Sequence, residues 1–284
     1  MNRRFGIMWV GWHAHMPSRI LISDQTTTQG RTDLQKTKAD ITGTKRISVA
    51  FETNGKGFIG FIVQLPGAYV RGKTEEEALS KVGNEVQSYA KWLGVGPPVR
   101  YEVLVSQRHP CALTVEDADS EILLEEDKSP MNDRKFMELH DLVSYSAETF
   151  HALFRSAELE NWVDEGRIRK TFYGDVPKTI REIFDHVNGT QYYYLSRANL
   201  RPKERVGDFL QARQNCLNSL RELYEQQRND QVFQLDNEEW TLMKILRRFI
   251  WHDRIHGKAI VRIMRKQKQL GLIVDFEDPF HFIT

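Results

Sequence analysis

Trp240-Thr-Leu-Met-Lys-Ile-Leu-Arg-Arg-Phe-Ile-Trp-His252-Asp-Arg-Ile-His256 opens the longest helical pattern in the chain. Within it and just beyond, Leu242, Ile245, Phe249, His252, His256, Ala259 and Ile263 recur at steps of three and four, which returns them to one helix face. Two successive positions of an otherwise apolar stripe are therefore histidines. Residues four apart have neighbouring Cβ atoms, so both imidazoles can turn toward a single point inside a helical bundle. Spacing alone is weak evidence, because 9 His in 284 residues give about 0.3 such pairs by chance. Position strengthens it. Burying two imidazoles without partners costs about 1–3 kcal/mol each, which a metal or carboxylates must offset.

Outward from this stretch, the periodicity predicts four helices, over about 133–156, 176–200, 206–228 and 238–269, lengths that suit a bundle. Cys216 falls on the apolar stripe of the third, with Phe209, Leu220 and Leu223, and reads as an inert core thiol. His186 stands on the second helix, one turn after Ile183 and at the edge of its apolar face, where its ring can reach the same interior. His140 and His151 on the first helix are expected at surface or boundary positions, and the run Tyr192 to Tyr194 cannot share one helical face. Asp185 and Asp253, each adjacent to one of the three histidines, are expected to face solvent, because neighbouring helical residues point about 100° apart.

Two segments, Thr179-Ile-Arg-Glu-Ile-Phe-Asp-His186 with Tyr192-Tyr-Tyr-Leu-Ser-Arg197, and Trp240 through His256, resemble the DinB-like family of metal-binding four-helix bundles, which includes the YfiT-like proteins. The resemblance spans about residues 131–270. It implies an all-α four-helix bundle in which His186, His252 and His256 bind a divalent metal. Three imidazoles leave coordination positions open to water or substrate, as catalytic rather than structural sites do. Zinc and nickel both suit such donors. Some members of the family look like S-transferases that use a low-molecular-weight thiol, and metal coordination would make that thiol a thiolate nucleophile. The chain has no cysteine placed to supply it.

The preceding part of the chain has a different grammar. Ile47 to Glu52, the turn Asn54-Gly-Lys-Gly57 and Phe58 to Leu65 read as two strands joined by a Gly-rich turn; Pro66-Gly67 interrupts, and Ala68 to Arg71 extends again. Thr74-Glu-Glu-Glu77 has the form of a capping box opening a helix that ends before Gly94, and 100–106 reads as a further strand. This β-β-β-α-β order, with Gly57-Phe-Ile-Gly-Phe-Ile-Val-Gln-Leu-Pro-Gly67 followed by Gly72-Lys-Thr-Glu-Glu-Glu-Ala78, resembles the HicB-like domain over about residues 46–108. The expected organisation is thus a flexible extension over 1–45, a HicB-like α+β domain over 46–115, an acidic linker over 116–130, and a DinB-like helical bundle with a tail over 131–284. Met8 or Met16 as another start would place the extension outside the folded unit.

Composition narrows the function. The 40 Lys plus Arg nearly cancel 39 Asp plus Glu, which argues against a nucleic-acid partner, whose phosphates demand clustered excess cation. The balance is a sum of unlike parts, +4 over 1–45, −4 over 46–130 and +1 over 131–284. No apolar run approaches the length of a membrane span, and two distant cysteines, Cys111 and Cys216, point to a reducing cytoplasm. A small-molecule substrate and a homodimer are expected. The alternative is a non-enzymatic protein with a structural metal site and a partner-binding HicB-like module.

Overall fold

The first strand, β1 (Arg46–Thr53), is buried almost throughout its second half, because both faces of the sheet it belongs to are covered. It turns at Asn54, whose Oδ1 accepts the N–H groups of Lys56 and Gly57, with Gly55 at φ +82°, and returns as β2 (Phe58–Ile62), antiparallel to it. β3 (Tyr69–Gly72) follows antiparallel to β2. Thr74 caps α1 (Glu75–Ser80) by accepting from Glu77 N–H. The single helix expected here is broken at Lys81, and α2 (Val82–Trp92) continues the apolar face. β4 (Glu102–Pro110) then pairs parallel with β1, which completes a mixed sheet of order β3-β2-β1-β4. This computed structural model describes residues 46–98, 100–171, 174–202 and 204–283; the extension expected over 1–45, with Met8 and Met16, lies outside the described residues.

The helical part consists of α3 (Asp133–Arg155), α4 (Ile180–Ser196), α5 (Phe209–Gln227) and α6 (Leu242–Gln269). Three of them start later than the periodicity suggests, and in each case a side chain that accepts the first free N–H groups fixes the boundary. Thr179 accepts from Glu182 N–H, Asp208 from Gln211 N–H and Thr241 from Lys244 N–H. Glu238 to Trp240, expected as helix, is instead a strand. Two short ribbons, β5 (Lys170–Thr171) with β6 (Gly174–Asp175) and β7 (Phe233–Leu235) with β8 (Glu238–Trp240), lie between the helices. The second closes through Asp236 and Asn237, both at positive φ, the conformation a two-residue hairpin turn requires. Among the described residues no helix is long and apolar enough to cross a membrane.

The last helix, α6, is the centre of the molecule. Its stripe Leu242, Ile245, Phe249, His252, Ala259 and Ile263 is buried as the spacing predicts, but so are Ile250, Trp251, Asp253 and Arg254. The bundle covers one side and the sheet the other. Gly67, at φ +84°, sits where the turn before β3 meets α6: a Cβ there would stand 2.5 Å from Ile250 Cγ2 and 2.8 Å from Trp251 N, so only glycine fits both the backbone and the space. The ring of Trp251 packs against Phe61 and Tyr69 of the sheet.

The acidic stretch expected as a linker is packed onto this same helix. Ile122 and Leu124 are buried, and Asp127, 1% exposed, pairs with Arg247 while its carbonyl accepts from Asn229 and Thr241. The stretch acts as a strap that ties the sheet to α6.

Candidate metal centre

His252 and His256 project from successive turns of α6, and His186 faces them from α4. The ring centroids are 4.4 Å apart for His252 and His256, 5.1 Å for His186 and His252, and 4.7 Å for His186 and His256. One nitrogen from each ring lies within 4.8 Å of the others. All three imidazoles singled out in the sequence are therefore brought to one place. His186 is exposed, His256 half-buried and His252 buried, so the group has a closed end against Tyr194, whose ring meets His252 edge-on, and an open end at α4.

His252 Nε2 and His186 Nε2 are 3.2 Å apart. At most one can carry a proton toward the other, and two lone pairs facing each other repel unless a proton or a cation stands between them. A metal with Zn–N bonds of about 2.1 Å and tetrahedral or octahedral angles sets neighbouring nitrogens roughly 3.0–3.4 Å apart. That pair fits a shared cation as well as it fits a single N–H···N hydrogen bond. Among the described residues, no thiol or carboxylate joins the three imidazoles as a further donor.

Electrostatics keep the rings in the form that donates to a metal. Burial, followed by the charges of His256 and His186 and then of Arg213 and Arg248, holds His252 well below the usual histidine range. His256 is pushed down in the same way by burial, His186 and Arg167; His186, exposed as a residue but with its ring turned in to within 5.1 Å of the other two, is lowered by the partial desolvation of that ring. Neutral imidazole is the ligand form. A consequence follows for the metal-free protein. The unfolded chain protonates these rings near the ordinary value of 6.5 while the folded chain does not, so the unfolded state binds more protons as pH falls. Stability should therefore be intact above that value and decline below it, by up to about 1.4 kcal/mol per pH unit for each ring. Urea unfolding of chelated protein between neutral and mildly acidic pH measures this, and replacing His252 by Gln is expected to flatten the decline.

Around the three rings the structure corrects several expectations. Asp253 does not face solvent: it is 0% exposed and makes a two-pronged pair with Arg213 of α5, at 2.8 and 2.9 Å, because Arg213 reaches it across the helical interior, past Gln191 of α4 and the carbonyl of Val143 of α3. Asp185 is exposed, as expected. His140 is buried rather than at the surface, between Asp141 and Arg221, and His151 is half-buried against Phe184 and Phe209; neither joins the group. Cys216 is a buried core thiol, its pKa pushed up to about 11 by burial. Two residues near the centre escaped the sequence reading, Arg167 beside His256 and Arg248 beside His252. Arg167 ends a short 3-10 turn (Glu165–Arg167) before α4 and has no periodic signature.

No protein-family model, curated protein or solved structure matches this chain.

Proposed function

We propose that the protein binds a divalent cation, zinc or nickel, through His186, His252 and His256, and that this centre carries out metal-dependent transfer to a low-molecular-weight thiol. The observation that carries the reading is the convergence of three imidazoles with two Nε2 atoms 3.2 Å apart and no fourth protein donor among the described residues. When bound, the metal supplies Lewis-acid stabilisation of a thiolate at neutral pH. The chain supplies the rest. Burial and the mutual repulsion of the rings keep them unprotonated. Tyr194 and the α6 stripe exclude water from the inner side. Exposure of His186 leaves the outer side accessible. Arg167, whose guanidinium is near enough to His256 to depress its pKa, is suited to orient an anionic group on the incoming thiol or its electrophile.

An open coordination sphere favours this over a purely structural metal, which four protein ligands normally close. The test begins with elemental analysis of the purified full chain beside His186→Ala, His252→Ala and His256→Ala. Each variant is expected to lose about one ion per chain relative to the parent; metal content unchanged in all three would sink the assignment. Thiol transfer is read by conjugation of cysteine or glutathione to monochlorobimane, in which a C–S bond forms and chloride leaves. Metal-loaded parent should accelerate it and the three variants should not. Bound metal without any acceleration across thiols would leave the structural reading in its place.

A further inference from the structure

A second cluster of metal-donor side chains lies away from the three histidines, where the sheet meets the strap. β1 and β4 run in parallel with a bulge: the register is Val49 opposite Val105, then Ala50 opposite Gln107. The extra residue shifts every later pairing by one, so Glu52 stands opposite His109 rather than Arg108. In a sheet a one-residue shift exchanges the two faces, and bulges re-aim side chains in this way. Arg108 accordingly points elsewhere, to Glu75. The strap then lays Glu121 over the pair, its backbone N–H donating to Glu52 Oε1 at 2.8 Å. One donor atom each from Glu52, His109 and Glu121 lies within 4.8 Å of the others.

Glu52 is the telling residue. Its side chain is 0% exposed, yet Oε2 has no hydrogen-bond partner, and His109 Nε2 likewise has none, standing 3.5 Å from Glu121 Oε1. A buried carboxylate oxygen with no stronger partner than a neighbouring thiol is costly, and a bound ion would offset that cost. Local charge points the same way. Glu52, Asp119, Glu121 and Glu238 share this corner with two cations, Lys244 and Arg248. Lys244 is already held by Glu238 and by the carbonyls of Glu121 and Glu239, and Arg248 by the carbonyl of Ser120. Carboxylate is in surplus. A cleft of about 230 Å³ opens beside His109 and Glu121, with room for water to complete a coordination sphere. Cys111 borders the cluster, its thiol close enough to hydrogen-bond the Glu52 carboxylate and within electrostatic reach of Glu121.

We infer that Glu52, His109 and Glu121 form a second divalent-cation site, of the zinc or manganese class, that clamps the strap onto the sheet. Two carboxylates and one imidazole leave positions for water, and they are too few oxygens for the six to eight that calcium takes. The site shares no residue with the three-histidine centre, so either stands or falls alone.

The test uses the full chain, stripped of metal by a chelator, with His186→Ala and His252→Ala removing the first centre. Calorimetric titration with Zn²⁺, and separately with Mn²⁺, is expected to show one remaining saturable site. His109→Ala and Glu121→Gln, both at half-exposed positions where folding should survive, are each expected to weaken that site at least about tenfold. Zinc should also raise the unfolding temperature of the background protein, and not that of the His109→Ala variant. Absence of any remaining site for either ion, or unchanged affinity in both variants, overturns the inference. Should the double-histidine background fail to fold, ion counting on the otherwise native chain decides it: His109→Ala must lose one ion relative to the parent, and retention of the parent's count refutes the site.

Discussion

Replacing Asp253 by Ala is expected to cost about 3–5 kcal/mol of folding stability, because it strips the partner from a buried guanidinium. Arg213 is 2% exposed, and its fork is committed to Asp253 through NH1 and NH2 while Nε donates to Gln191. Its flat face rests on Phe249, 4.6 Å from the ring centroid. With Arg213 2% and Asp253 0% exposed, no water can replace the lost carboxylate without opening the interior between the helices. The loss would also reach the metal centre. Arg213 already depresses His252 with its charge partly compensated, and an uncompensated guanidinium at that distance opposes a cation on the neighbouring ring. Urea unfolding should show the destabilisation, and zinc titration a weakened first site. Asp253→Asn, which keeps the shape and one acceptor, should lose less. Pairing Asp253→Leu with Arg213→Met should recover much of the stability, since a matched apolar pair leaves no charge buried. A cost below about 1 kcal/mol for Asp253→Ala would mean that Arg213 is solvated and that the pair is a surface feature.

Asp253 also marks the limit of what could be read from the chain. The stripe from Leu242 to Ile263 was legible because its alternation of polar and apolar residues follows one helical face, and two histidines on that stripe stood out against it. His186 was legible through its neighbours on α4. The other faces of α6 were not, because Asp253 and Arg254 have the composition of a solvent face and the partners that bury them, Arg213 and Glu85, are 40 and 169 residues away. Nothing local signals such a partner. The strap is hidden for the same reason: its acidic composition resembles a linker, while Ile122 and Leu124 are buried among Ala50, Ile59, Phe61 and Tyr69 of the sheet with Trp251 of α6, and the inward Asp127 is held by Arg247. The Glu52, His109 and Glu121 group depends on a bulge, and a one-residue register shift leaves no trace in periodicity. Helix starts fall later than periodicity implies where Thr179, Asp208 and Thr241 override a pattern that continues upstream. Asp236 and Asn237 are turn residues and mark the hairpin ahead of α6.

The sheet and the helical part are joined by charge as much as by apolar contact, and this yields the second large effect. Glu85 of α2 is 5% exposed and receives Arg254 NH2 at 2.8 Å and Lys258 Nζ at 2.6 Å, both from α6. Arg254 is 0% exposed and enclosed by the rings of Tyr89, Trp92, Phe280 and Phe282. These rings attract the cation through their faces, but they offer its N–H groups no carboxylate. Burial alone would raise the Glu85 carboxyl; Lys258 and Arg254 outweigh it and hold the group below its ordinary range. Its stabilising pairing is therefore present above the unfolded carboxyl's value and lost as acid protonates it in the folded state. Glu85→Ala is expected to destabilise the protein by about 3–5 kcal/mol, leaving a buried guanidinium and a half-buried ammonium without a counter-charge. Because the contact joins α2 to α6, the sheet and its helices should loosen first. Amide hydrogen exchange is expected to accelerate in β1 and α2 before α5, and Glu85→Gln to give a smaller change of the same pattern. Uniform acceleration across β1, α2 and α5 would show instead that the sheet and the bundle open as one unit, with Glu85 serving the whole core rather than the junction.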